Sequence, residues 1–352
     1  MSNKMEIKTL GHIVDDGEAL WLLSSAAEIG FRVTDATQVK LVLGADDTVL
    51  NPAMETILPR FAVRVDGEKV LDARMTAKEK TVTAFAGEEK RSVEVRLIKL
   101  SECIQSLMCL KQIETDGSIE PLPAKPLKME FIGDSITCGY GVEGKSEAET
   151  FTTATENAEK GYACLTAEAL GADAVMTCFS GHGIVSGYTG DPSVCNGSEL
   201  LPPYYEKEGR NGYRLANGKL PEEISRDFSA FQPDYIVINL GTNDMSWCGT
   251  DESRGTQYAE GYVRLLKVVR KYNPQARILC ALGVMGTLLN PKLEQAVGQY
   301  RRETGDDRIR LLLLEDQNAA RDGYGSDYHP NEITQRLLAQ KVTESIRLWM
   351  NE

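Results

Sequence analysis

Four short polar segments stand out because each follows an apolar run or opens a helix. Met129 to Ile132 leads into Gly133-Asp134-Ser135-Ile136-Thr137-Cys138-Gly139-Tyr140-Gly141. A serine at a strand-to-helix junction can expose its hydroxyl beside the free N–H groups of the helix start, which stabilise negative charge. Ala174 to Phe179 leads into Ser180-Gly181-His182-Gly183, a turn whose glycines leave the backbone accessible. Tyr235 to Leu240 leads into Gly241-Thr242-Asn243-Asp244, which places an uncharged amide donor at a strand end, and Gly325 to Pro330 sets His329 directly before the last helix. A hydroxyl, two accessible backbone turns, an amide donor and an imidazole are thus brought to comparable places in the chain.

Metal chemistry is not suggested. The eight cysteines and three histidines (His12, His182, His329) show neither a C-x-x-C pair nor ligand spacing, so no metal and no cofactor are expected. The formal charge of -13, most of it after residue 128, and the lack of a basic cluster argue against nucleic acid and anionic membrane as partners. No run approaches the roughly 18 apolar residues of a membrane span. The amino-terminal MSNKMEIKTL shows no apolar stretch of a leader. With the scattered cysteines, this gives an expectation of cytoplasmic location.

The elements that must position these segments divide at residues 121–126, Pro-Leu-Pro-Ala-Lys-Pro. Before it, Ile29, Phe31 and Val33, then Val39, Leu41 and Leu43, then Val93, Val95 and Leu97 alternate as in half-buried strands. Arg60 to Val65 runs into Asp66-Gly67, a hairpin turn signal. Residues 1–122 are therefore predicted to form an antiparallel β-sandwich of jelly-roll type. After it, the apolar runs at 129–132, 174–179, 235–240, 278–282 and 309–314 are spaced for crossover helices, so residues 127–352 are predicted to form a three-layer α/β/α unit on a parallel sheet. Helices are expected over Gly255 to Tyr272 and Asn331 to Trp349. The second carries Ile333, Leu337, Leu338, Val342, Ile346 and Trp349 on one face, with Asn331 as N-cap. Ligands of such sheets bind at the carboxyl ends of the strands, where the four segments lie.

In order and spacing these segments resemble the SGNH (GDSL-like) hydrolase superfamily. The wording FIGDSITCGYG, INLGTND and DYHP, preceded by a small β domain, resembles the acetyl esterases of carbohydrate esterase family two. The resemblance implies that Ser135 is the nucleophile and His329 its base, and that an oxyanion would be met by the N–H groups of Ser135 and Gly181 and the amide of Asn243. Gly183 competes with Gly181 for that role. The superfamily's usual acid, three residues before the histidine, is here Ser326. Asp327, two residues before, is left to complete a triad, to contact the sugar or to shape the turn, and some family-two members work with a Ser-His dyad oriented by a backbone carbonyl. Asp134 is expected to hold its loop, His182 to be structural or substrate-facing, His12 to be incidental and Cys138 to be structural. Trp247, Tyr328 and Tyr140 are candidates to stack on a sugar ring.

The function expected from the resemblance is that of a metal-free serine esterase removing O-acetyl groups from xylan- or mannan-type oligosaccharides or polysaccharides through an acetyl-enzyme; the missing leader stretch adds the expectation that the substrate arrives as imported oligosaccharide. A lipase or thioesterase acting on acyl lipids, and a non-catalytic carbohydrate-binding protein, are the competing readings. The sequence is silent on oligomeric state.

Overall fold

The structure, a computed structural model, describes residues 7–352. The first six residues, part of the stretch read above for a leader, lie outside the described residues.

Two sheets organise the chain. The first has nine antiparallel strands: β1 (Lys8–Leu10), β2 (Ile13–Asp15), β3 (Leu20–Leu22), β4 (Glu28–Ala45), β5 (Arg60–Val65), β6 (Glu68–Arg74), β7 (Glu79–Lys99), β8 (Met108–Thr115) and β9 (Ser118–Pro121). They run in the order β2-β3-β8-β4-β7-β5-β6, with β1 and β9 also paired to β4. The two alternating runs around Phe31 and Leu41 are one 18-residue strand, β4. Its register against β7 shifts between Val33 and Ala36, between Ala36 and Gln38, and between Val39 and Lys40. Bulges of this kind bend a strand, so the predicted sandwich is a single sheet curled around Phe31, Leu41, Phe61, Val95 and their neighbours. Asp66 and Gly67, both at positive φ, make the two-residue turn joining β5 to β6.

The second sheet is parallel throughout. Its strands are β10 (Leu127–Gly133), β11 (Ala172–Cys178), β12 (Tyr235–Asn239), β13 (Arg277–Leu282) and β14 (Ile309–Leu313), in the order β11-β10-β12-β13-β14. Helices α1 (Ser135–Cys138), α2 (Tyr162–Ala169), α3 (Thr242–Cys248), α4 (Glu252–Tyr272), α5 (Asn290–Thr304), α6 (Ala319–Asp322) and α7 (Glu332–Met350) complete it. The Asn331 side chain accepts from the N–H groups of Ile333 and Thr334, capping α7 as expected. Only part of the predicted α7 face is buried. Leu338, Val342, Ile346 and Trp349 pack inward, whereas Ile333 and Leu337 are exposed, because the helix rests on the sheet along a stripe narrower than its apolar content.

The segment between the sheets is pinned. Leu122 is buried, and Lys125 donates from its backbone N to Asp173 Oδ2 and from Nζ to Ala172 O at the start of β11. The sheets also share a core: Val14, Trp21, Leu23 and Leu107 from the antiparallel part belong to one apolar cluster with Ile236, Leu240, Tyr258 and Leu293. His12, read as incidental, lies within this junction, its ring nitrogens bonded to Thr177 Oγ1 (3.0 Å) and Glu208 Oε2 (3.2 Å).

Candidate active site

β10 ends at Gly133, where a Cβ would lie 1.9 Å from Thr137 Oγ1, so only glycine lets the chain pass directly into α1. Asp134 caps that helix, accepting the Ile136 N–H at 3.0 Å, and Ser135 is its first residue. The chain leaves the short helix through Gly139, left-handed at φ 77°. The Ser135 hydroxyl is 2.8 Å from His329 Nε2. A nucleophile and a base from positions 194 residues apart are thus in hydrogen-bond contact.

The opposite ring nitrogen settles how the histidine is oriented. His329 Nδ1 lies 3.0 Å from the main-chain oxygen of Asp327, not its carboxylate. Asp327 Oδ2 instead accepts the hydroxyl of Tyr140 and the N–H of Phe151, each at 3.0 Å. The triad role considered for Asp327 is therefore corrected: its left-handed backbone (φ 48°, ψ 46°) turns the carbonyl toward the imidazole and sends the side chain to the loop that follows α1. The geometry is a dyad held by a carbonyl. Gly141 and Gly144 allow that loop to touch the histidine turn, since a Cβ on either would press on Ser326.

Tyr140 is also corrected. Its ring stacks on Phe151 at 3.7 Å and lies 4.2 Å from the His329 ring, so it packs the base and offers no open face to a sugar. Burial in this setting lowers the His329 imidazole to about 4, keeping it neutral and able to accept a proton.

Donors for a negative oxygen converge from three strand ends. Among the described residues, no acceptor pairs with the N–H of Ser135 or of Gly181. The N–H of Gly183 is used, donating to Glu199 O at 3.0 Å, which separates the two competing glycines. Gly181 has φ +75°, a conformation side chains rarely adopt. Its peptide plane is fixed from the other side: Ser180 O is 2.8 Å from His182 Nδ1, and the Arg210 guanidinium bonds His182 Nε2. Burial lowers His182 to about 4, so it is a neutral structural residue with Nδ1 donating. Asn243, buried at the start of α3, directs Nδ2 to His182 O at 2.9 Å and to Asp134 Oδ2 at 3.4 Å. Those bonds hold the amide in place. Desolvation pushes Asp134 up to about 7.

Of the remaining aromatic candidates, Tyr328 is 59% exposed beside His329. Trp247 is half-buried against the core with the Arg254 guanidinium 4.9 Å above its ring, so it lacks the free face expected of it. Sequence reasoning missed Tyr188, 62% exposed, whose N–H donates to Gly181 O at 2.8 Å. Its one visible signal is a large ring in the turn Ser186-Gly-Tyr-Thr-Gly190, where nothing requires an apolar side chain. It also missed Glu102, which approaches from the other sheet. Three potential ligand atoms, from Glu102, Cys138 and Glu156, lie within 4.8 Å of one another in the interior behind α1.

A serine bonded to a histidine at the carboxyl end of a five-stranded parallel sheet, with backbone and asparagine donors beside it, defines an SGNH-type α/β protein. The chain belongs to the GDSL-like Lipase/Acylhydrolase family, whose model matches residues 131–337. It is 34% identical over 296 residues to a cellulase/esterase, CelE, of Acetivibrio thermocellus, covering 82% of this chain and 34% of that protein. It thus spans about a third of that relative's length. It is 27% identical over 292 residues to an acetylxylan esterase / glucomannan deacetylase of Cellvibrio japonicus, covering 82% of this chain and 76% of the relative. Among solved structures, a family two carbohydrate esterase from Clostridium thermocellum in complex with cellohexaose superposes with a TM-score of 0.81 at 26% identity, over 98% of this chain and 99% of that one. An acetyl xylan esterase of the rumen bacterium Butyrivibrio proteoclasticus shares the fold with a TM-score of 0.86 at 23% identity, over 99% and 96%.

Proposed function

We propose that the protein is a serine carboxylic ester hydrolase that removes O-acetyl groups from plant-type oligosaccharides or polysaccharides. The observation that carries this is the 2.8 Å bond between Ser135 Oγ and His329 Nε2 beside unpaired N–H groups of Ser135 and Gly181. His329 takes the serine proton as Oγ attacks the acetyl carbonyl, and the resulting oxyanion is met by those N–H groups and by the Asn243 amide, whose second N–H exchanges its long 3.4 Å contact with Asp134 Oδ2 for the oxyanion. Collapse expels the sugar hydroxyl, protonated by the same imidazole, and leaves an acetyl-enzyme. Water, deprotonated by His329, then releases acetate. No metal or cofactor enters this scheme.

The carbohydrate part of the reading is supported by the names of the relatives, an acetylxylan esterase / glucomannan deacetylase and a carbohydrate esterase with cellohexaose, and by two exposed tyrosines, Tyr328 next to His329 in the chain and Tyr188, whose N–H bonds Gly181 O. A neutral sugar needs no positive surface, in keeping with the charge of -13. Residence in a reducing compartment is supported by eight free thiols.

Ser135→Ala is expected to lower hydrolysis of 4-nitrophenyl acetate by on the order of 10⁴-fold or more, as loss of an activated nucleophile does. Wild-type protein is expected to cleave acetyl faster than octanoyl esters. Faster octanoyl turnover would move the substrate to acyl lipids, and undiminished activity of Ser135→Ala would remove the proposed nucleophile.

A further inference from the structure

A fully buried carboxylate from the antiparallel half of the molecule touches both segments that build the site. Glu102 lies between β7 and β8, and its Oε2 accepts the Ser180 N–H at 2.8 Å and the Cys138 thiol at 3.5 Å. Cys138 ends the helix that begins with Ser135, and Ser180 immediately precedes Gly181. The residue itself is held firmly. Its N–H donates to Glu156 Oε1 at 3.1 Å, its O accepts Lys99 Nζ at 2.9 Å, and its Oε1 accepts Gln105 Nε2 at 3.1 Å.

A cation at this cluster is disfavoured on the same geometry. The buried Lys99 Nζ already bonds the carbonyls of Ser101 and Glu102, and burial pushes the Cys138 thiol and the Glu156 carboxyl well above their ordinary ranges, which disfavours the anionic forms a cation would need. What the carboxylate can do is fix one distance. The Ser180 N–H is anchored by Glu102, and the next peptide, which carries the Gly181 N–H, is anchored at its oxygen by His182. With both peptides held, the Gly181 donor keeps its place relative to the nucleophile's helix.

We propose that Glu102 is a positioning residue of the active site: through one oxygen it ties the Ser135 helix to the turn presenting the Gly181 N–H, so the antiparallel sheet sets the geometry in which the oxyanion forms. This rests on the esterase reading above. Because the oxyanion exists only after attack, its misplacement should appear in kcat and leave KM unchanged.

The test compares Glu102→Ala, Glu102→Asp and Glu102→Gln on 4-nitrophenyl acetate. Glu102→Ala is expected to lower kcat about tenfold or more with KM within about twofold, a fraction of the 10²–10³ lost when an oxyanion donor is deleted. Glu102→Asp should fall similarly, because a side chain one methylene shorter leaves the Ser180 N–H unbonded. Glu102→Gln keeps an oxygen of the right reach and should recover at least about a third of wild-type kcat, a rescue that lost charge alone would not permit. The Asp and Gln variants decide the matter even if the alanine variant does not fold. A kcat within about twofold of wild type in Glu102→Asp, a loss confined to KM, or Glu102→Gln falling below Glu102→Asp would overturn the assignment. Ser135→Ala separates the two levels: if it stays active the esterase reading fails, and if it is inactive while the Glu102 variants turn over normally only the role of Glu102 fails.

Discussion

His329 faces a carbonyl rather than a carboxylate, and that difference has measurable consequences. Where a triad aspartate is replaced by asparagine, turnover falls about 10⁴-fold because the histidine takes the wrong tautomer. Here Asp327→Asn leaves the carbonyl in place, tolerates the left-handed backbone, and keeps an oxygen for the Tyr140 hydroxyl and the Phe151 N–H. Turnover is expected to fall less than about tenfold, as read by kcat on an acetate ester, and a loss near 10⁴ would show that the carboxylate acts on the ring. The pH dependence follows from the same burial. His329 is lowered to about 4, so its basic form persists on acidification, and kcat/KM should decline as pH falls through about 4 instead of near 6.5. In stability the sign is the same: the unfolded chain takes up the proton first, so the contribution is full above about 6.5 and is lost as pH falls toward 4. An acid limb centred near 6.5 would mean that the imidazole is hydrated. Ser135, Asn243 and His329 are legible because the four segments together, in order and spacing, resemble the family, whereas each residue taken alone reads as a cap, a turn or a surface residue. The role of Asp327 is not legible, because sequence does not say which of its oxygens a left-handed turn will aim at the ring.

Periodicity reveals the elements where one face is buried, and less well where strands bend. Alternation showed β-structure around Phe31 and Leu41 but broke at Thr34 to Thr37, since bulges shift the side-chain phase and make one curled strand look like two. Asp244 shows a different kind of blindness. It was visible as the last residue of Gly-Thr-Asn-Asp, yet its work lies in another loop, where it accepts the N–H groups of Ile184 (2.9 Å), Val185 (2.7 Å) and Ser186 (3.1 Å) from complete burial. Gly183 stands where a Cβ would meet Ser186 O at 1.9 Å, so the loop wraps this carboxylate closely. Asp244→Ala would strand three interior donors, each worth about 1–3 kcal/mol when unpaired. We expect a loss of about 3 kcal/mol or more, seen as a melting temperature lower by several degrees. A melting temperature within a degree of wild type would show that water replaces the carboxylate.

At the scale of the whole molecule, the change of grammar at residues 121–126 marks where one sheet ends and the other begins, but the packing crosses that point. Trp21, Leu23 and Leu107 share a cluster with Phe179, Tyr205 and Leu240. Arg60 on β5 donates to Glu143 Oε2 (2.7 Å) and to the carbonyls of Ala154 and Glu156 (2.9 Å each), all beyond the boundary. No sequence pattern reports such contacts, because each partner satisfies its own local rule whether or not the other is present. Removing residues 1–126 would take Trp21, Leu23 and Leu107 out of the cluster that includes Phe179 and Tyr205, and would remove Glu102. A chain of two weakly coupled domains would melt in two steps, whereas a core continuous across both sheets should melt in one. We therefore expect a single calorimetric transition for the full chain, and an isolated 127–352 piece that aggregates or turns over acetate esters at least about a hundredfold more slowly, as loss of an oxyanion donor would. Two resolved transitions, or a soluble 127–352 piece with full activity, would show that the parallel half carries both its fold and its site alone.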